Sequence, residues 1–197
     1  MVHYRAMIDV NAYKHRYSFL EMYKVFLLMF KGLPLLIKNK KKRLVDEDFI
    51  ERIMLAVTEV NGCVVCSYAH TKMALESGFS IEEIESFFVG SDLYIKPEES
   101  LGIMFAQNYA DTQGSYSAEA YASLVKYYGQ EKSKIILAAT RAMMAGNVIG
   151  LPMSAIYARF RGKKYSNSSF VYEITMIAAP LFLIPISALH SLFLKRD

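Results

Sequence analysis

The tightest constraint on the fold is a spacing. Between residues 17 and 150, apolar side chains recur at intervals of three and four, and no stretch sustains the alternation of a half-buried strand. In YSFLEMYKVFLLMF, Leu20, Tyr23, Phe26, Leu27 and Phe30 fall on one side, and the pattern is expected to end near Gly32 and Pro34. DEDFIERIMLAVTEV opens with acidic residues that suit the positive end of a helix dipole and aligns Phe49, Ile53, Ala56, Val57 and Val60. Asn61 and Gly62 break it, and the period resumes at Cys63 and runs to Gly78, where a left-handed cap favors glycine. Ser80 and Glu83 have the spacing of a capping box for IEEIESFFVG. SLGIMFAQNYADT follows Pro97, SAEAYASLVKYYG is capped by Ser117 and stopped at Gly129, and EKSKIILAATRAMMAGNVIG comes directly after. Short connections between such segments predict an all-α bundle.

Composition agrees. Of the 197 residues, 53% are hydrophobic and 21% charged, with 10 Gly and 5 Pro, which excludes disordered and collagen-like classes. A mean hydropathy of +0.18 is high for a lone soluble chain and points to apolar surface held between subunits or against a membrane. Much of the basic excess behind the net charge of +4 sits in two short runs, residues 38–43 and 161–164, read as solvated loop charges with an anionic-lipid contact as the alternative. Neither run interleaves with aromatic residues as a nucleic-acid surface would, so no nucleic-acid partner is expected. Two cysteines three positions apart do not make a secreted disulfide scaffold. The charges scattered through the first 19 residues interrupt the apolar core that a signal peptide needs. A cytoplasmic, reducing setting follows as the expectation.

Residues 174–194 contain no Lys, Arg, Asp or Glu and are long enough to span a bilayer. Pro180 and Pro185 would interrupt the hydrogen-bond ladder, and Ser187 and His190 lie farther along. The division expected is a helical domain over 1–165 and an apolar extension over 166–197, an oligomer-interface helix, with a membrane anchor as the alternative.

Both cysteines of the chain and one of its four histidines fall within EVNGCVVCSYAHTKMALESGFS, residues 59–80. On a helix starting there, Cys63, Cys66 and His70 are each one turn apart on a shared face. A Cys-x-x-Cys in a first turn meets unpaired backbone N–H groups and the helix dipole, which stabilize a thiolate. His70 is placed to accept the Cys66 proton. The three residues would also suit zinc, but a structural site needs a fourth ligand, and no second Cys-x-x-Cys or His-x-x-x-His supplies one, so neither metal nor cofactor is expected. The stretch AMMAGNVIGLP around Asn147 reads as core or subunit contact.

The run from Glu51 to Ile84 resembles the core motif of the alkylhydroperoxidase D-like proteins of the carboxymuconolactone decarboxylase superfamily. Glu51, Cys63, Cys66, His70, Gly78 and SIEEI match that motif in order. The resemblance implies an all-helical fold assembled into trimers or hexamers, and a redox disulfide that reduces peroxides at the expense of a thiol or dithiol reductant. It casts Cys66 as peroxidatic, Cys63 as resolving, and His70 with Glu51 as a proton relay. Glu59, just before the Asn61–Gly62 break, is a second carboxylate that could approach Cys63. The chain departs from the pattern at Val65, where many relatives place an aromatic residue or a histidine able to join the relay. Lactone decarboxylation and a non-catalytic redox-switch protein are the alternatives on the same scaffold.

Overall fold

The computed structural model describes residues 12–88 and 93–194. The charges of residues 1–11, the last two residues of the stretch ending at 90, and the three final residues of the C-terminal extension lie outside them. Among the described residues all regular structure is helical: α1 Phe19–Lys42, α2 Glu47–Asn61, α3 Val64–Glu76, α4 Ile81–Phe88, α5 Ser100–Asp111, α6 Ala118–Tyr128, α7 Gln130–Phe160, α8 Phe170–Ala178 and α9 Pro180–Phe193.

The local signals set most of the helix ends. Asp46 caps α2, its carboxylate accepting from the Asp48 N–H at 2.8 Å. Gly62 ends α2 in the left-handed region at φ 67°, and its N–H reaches back to the Thr58 carbonyl at 2.9 Å. Ser117 Oγ accepts from the Ala120 N–H at 3.0 Å to start α6, and Gly129, at φ 78°, separates α6 from α7. The capping box expected at α4 is half formed. Ser80 Oγ accepts from the Glu83 N–H at 3.1 Å, but the Glu83 carboxylate turns to Arg52 instead.

Two helices run farther than their local breakers suggest. α1 does not end near Gly32 and Pro34 but continues through residues 38–42 to Arg43, a left-handed cap whose N–H meets the Asn39 carbonyl at 2.7 Å. Tertiary packing overrides the breakers: a Cβ on Gly32 would lie 2.9 Å from the Ala138 Cβ, so glycine is what lets α1 approach α7 this closely. The basic run, expected as a loop, supplies the last turn and complements the negative end of the dipole. Similarly, α7 passes Gly150 and a buried Pro152 to reach Phe160.

α7 is the axis of the core. It packs against α1, α2, α3, α5, α6 and α8, and its Ile136, Met144 and Val148 are buried with Phe26, Ile53 and Leu55. Each such side chain contributes roughly 1.5–3 kcal/mol on burial. The apolar extension forms two helices bent by 41° at Ala179, with Pro180 opening α9. α8 packs on α7, where the fully buried Glu173 meets Arg159 Nη2 at 2.9 Å, and α9 packs along α1.

Candidate redox site at the start of α3

The turn Asn61–Gly62–Cys63 folds α3 back against α2, and a buried polar network holds it there. Asn61 Nδ2 donates to Asn147 Oδ1 at 2.8 Å, and Asn147 Nδ2 donates to Thr58 Oγ1 at 3.2 Å. All three side chains are buried, so each bond satisfies a group that would otherwise be costly to desolvate. α7 thereby clamps the C-terminal turn of α2 directly before the first cysteine.

Cys63 is the N-cap of α3, and Cys66 sits in the first turn. They form a disulfide with a Cα–Cα distance of 5.3 Å. Cys63 Sγ accepts from the Cys66 N–H at 3.3 Å, and the Ser67 N–H meets the Cys63 carbonyl at 2.8 Å. The Val65 N–H, another donor of the first turn, is met at 3.1 Å by Ser154 Oγ from α7, which itself donates to the Gly150 carbonyl at 2.8 Å. Cys63 is fully buried, whereas Cys66 keeps 7% of its surface. Cys66 Sγ lies 3.7 Å from the Gly146 carbonyl, an acceptor for the thiol proton once the bond is reduced.

Gly150 forms the floor under the sulfurs. A Cβ there would come within 2.6 Å of Cys63 Sγ and closer still to Cys66 Sγ. Gly146, Gly150 and Ser154 recur every fourth residue and so present small side chains to one face of α7. From the sequence this stretch reads as core or subunit contact. Met143, Met144, Val148 and Leu151 are indeed buried, but the residues that shape the cysteine site are the small ones between them.

Behind the disulfide, His70 Nδ1 and Glu51 Oε1 are 2.7 Å apart, each side chain only 12–13% exposed. With the carboxylate ionized, Nδ1 carries the proton and donates, leaving Nε2 as the basic nitrogen. His70 makes this bond and none to either sulfur in the disulfide state. Glu59 lies elsewhere: Lys14 Nζ stands 4.0 Å from its carboxylate and donates to its carbonyl at 3.0 Å. Burial raises the Glu59 carboxyl above its usual range, with Lys14 partly opposing.

Arg52 follows Glu51 in sequence and points away from it. Its Nε donates to Glu83 Oε1 at 2.9 Å, Nη1 reaches Glu99 at 3.3 Å, and the guanidinium lies 4.6 Å from the Phe79 ring center. This buried clamp ties α2 to α4 and to the start of α5, and no local pattern announced it. Burial raises the Glu99 carboxyl, with Arg52 and Lys96 opposing. Among the described residues no group of three or more His, Cys, Asp or Glu side chains is placed to hold a metal ion.

Fold and site together define a class: all-helical proteins with a Cys-x-x-Cys at a helix start and a histidine–glutamate pair behind it. Residues 38–99 match the model of the carboxymuconolactone decarboxylase family. The matched segment runs from the end of α1 to the cap of α5 and includes Glu51, Cys63, Cys66 and His70. No curated protein and no solved structure matches the chain.

Proposed function

We propose that the protein is a thiol-dependent peroxidase, cycling Cys63 and Cys66 between dithiol and disulfide. The observation that carries this reading is the Cys63–Cys66 bond in the first turn of α3 with a His70–Glu51 hydrogen bond one turn farther along. Cys66 is the attacking residue because it alone of the pair reaches the surface. In the reduced protein its proton passes to His70, whose orientation Glu51 holds, and the helix N-terminus stabilizes the thiolate. The sulfur attacks one peroxide oxygen, the O–O bond breaks, and the departing alkoxide takes the proton back from His70. The Cys66 sulfenic acid then condenses with the Cys63 thiol, forming the disulfide and releasing water. An external dithiol returns two electrons and two protons by exchange.

Val65 narrows the relay to a single imidazole. The proposal includes a homo-oligomer, trimer or hexamer, acting in the cytoplasm. Peroxide consumption driven by a dithiol reductant is the test. Turnover by the wild type, its loss in Cys66→Ser, and a trapped sulfenic acid in Cys63→Ser are expected. Turnover that survives Cys66→Ser overturns the assignment.

A further inference from the structure

The C-terminal helix pair has two unlike sides. On the inner side α9 is bound to α1: Ser187 is fully buried and its Oγ donates to the Tyr23 carbonyl at 3.3 Å, and His190 Nδ1 meets the Tyr23 hydroxyl. α8 is held to α7 through Glu173 and Arg159. On the outer side Leu181, Phe182, Ile186, Leu189, Leu192 and Phe193 are each 54–80% exposed. The same exposed apolar character continues onto α8 at Val171 and Ile174. Among the exposed side chains of α9 the one polar group is His190.

We infer that this outer face lies in the interfacial layer of an anionic lipid bilayer, with α8 and α9 in the plane of the membrane. The chemistry of the face favors lipid over protein. Protein interfaces carry a polar rim and about one hydrogen bond per 100–200 Å². The outer face of α9 supplies almost nothing to make such bonds, and acyl chains ask for none. Charge complements lipid as well. Residues 161–197 hold five basic residues, Arg161, Lys163, Lys164, Lys195 and Arg196, at the two ends of the apolar stretch, against two acids, Asp197 and the fully buried Glu173. Cations flanking an apolar helix face are what anionic headgroups attract.

The two helices together are apolar and long enough to cross a membrane, but the 41° bend and the attachment of α9 to α1 favor lying over crossing. The bound inner face would have to be stripped from the protein body before α9 could be surrounded by lipid. The inference is independent of the peroxidase reading, because it uses none of the residues of the cysteine site.

The test is flotation of the full chain with phosphatidylcholine vesicles, with and without phosphatidylserine, beside sedimentation without lipid. The expected result is co-flotation with the anionic vesicles, a several-fold smaller bound fraction on neutral ones, and release at alkaline carbonate pH. Phe182→Asp combined with Leu189→Asp should lower the bound fraction at least tenfold while leaving the helical circular dichroism unchanged. A Phe182→Trp variant should shift its emission to the blue on adding vesicles. Absence of flotation overturns the inference. So does an oligomer without lipid that the double aspartate variant dissociates, which would give the face to a second copy of the chain. Resistance to carbonate extraction overturns the in-plane arrangement.

Discussion

Replacing Gly150 by alanine should set the two redox forms of the protein against each other. The added Cβ would sit 2.6 Å from Cys63 Sγ and nearer to Cys66 Sγ. Comfortable contacts between heavy atoms are about 3.5–4.0 Å, so α7 or α3 must yield by about 1 Å. Overpacking of this kind costs about 1–3 kcal/mol. In the disulfide form both sulfurs are bonded over the glycine and cannot part. In the dithiol form each can rotate away, and alanine then gains about 1 kcal/mol over glycine in helix propensity. The propensity gain is common to both forms, so the overpacking cost of about 2 kcal/mol falls mainly on the disulfide. At about 1.4 kcal/mol per 30 mV for a two-electron couple, the reduction potential should rise by about 40 mV. The assay is a redox titration read by thiol alkylation, paired with urea denaturation of the oxidized and the reduced protein. A potential within about 10 mV of wild type, with equal stability changes in both forms, would refute the differential clash.

Arg52→Ala leaves Glu83 and Glu99 without their cation and should cost about 3–5 kcal/mol of stability, read by urea denaturation; a loss under about 1 kcal/mol would mean that the clamp is screened like a surface pair. His70→Ala and Glu51→Gln should each slow peroxide turnover by about 10²-fold or more while the Cys63–Cys66 disulfide still forms, checked by thiol mass spectrometry beside the rate. Glu59 supplies a pH signature with a definite sign. Burial raises its carboxyl in the folded protein, so its contribution to stability is complete below the ordinary carboxyl range and is lost as pH climbs through the raised value. Glu59→Gln imitates the protonated form, and its melting temperature relative to wild type should therefore be more favorable at about pH 7 than at about pH 4, by calorimetry.

What could be read from the chain divides by range. Caps and stops are decided by residues three or four apart, and Asp46, Gly62, Gly78, Ser117 and Gly129 all act where their neighbors say they should. The pairs Cys63–Cys66 and Glu51–His70 were legible for a related reason: they lie on two consecutive helices and the turn between them, so helical period and one tight turn place the members of each pair in contact. Partners on α7 have no such signature. Ser154 reaches Val65 across 89 residues, Asn147 reaches Asn61 across 86, and Gly150 lies under sulfurs more than 80 positions away. Their roles depend on how helices cross, which local spacing does not encode.

The glycines show where the line falls and how a finer reading could move it. Gly62, Gly78 and Gly129 adopt positive φ and end helices, whereas Gly32 and Gly150 stay inside helices because another chain segment presses on them. A rule that treats glycine as a breaker misplaces the end of α1 at Gly32. Context helps at some positions. The terminating glycines stand beside polar residues, Asn61, Ser77 and Gln130, of which Asn61 is buried in the network to Asn147. Gly150 sits between Ile149 and Leu151, in a run whose apolar character continues on both sides, whereas Gly32 lies between Lys31 and Leu33 and its neighbors alone do not decide its kind. A helix that stays apolar across a glycine still has a face to bury, and the missing side chain is then a close approach rather than an end. By that criterion α7 extends past Gly150, and the four-residue series Gly146, Gly150 and Ser154 becomes a groove shaped to take the two sulfurs of α3, while Gly32 is explained only by the approach of Ala138.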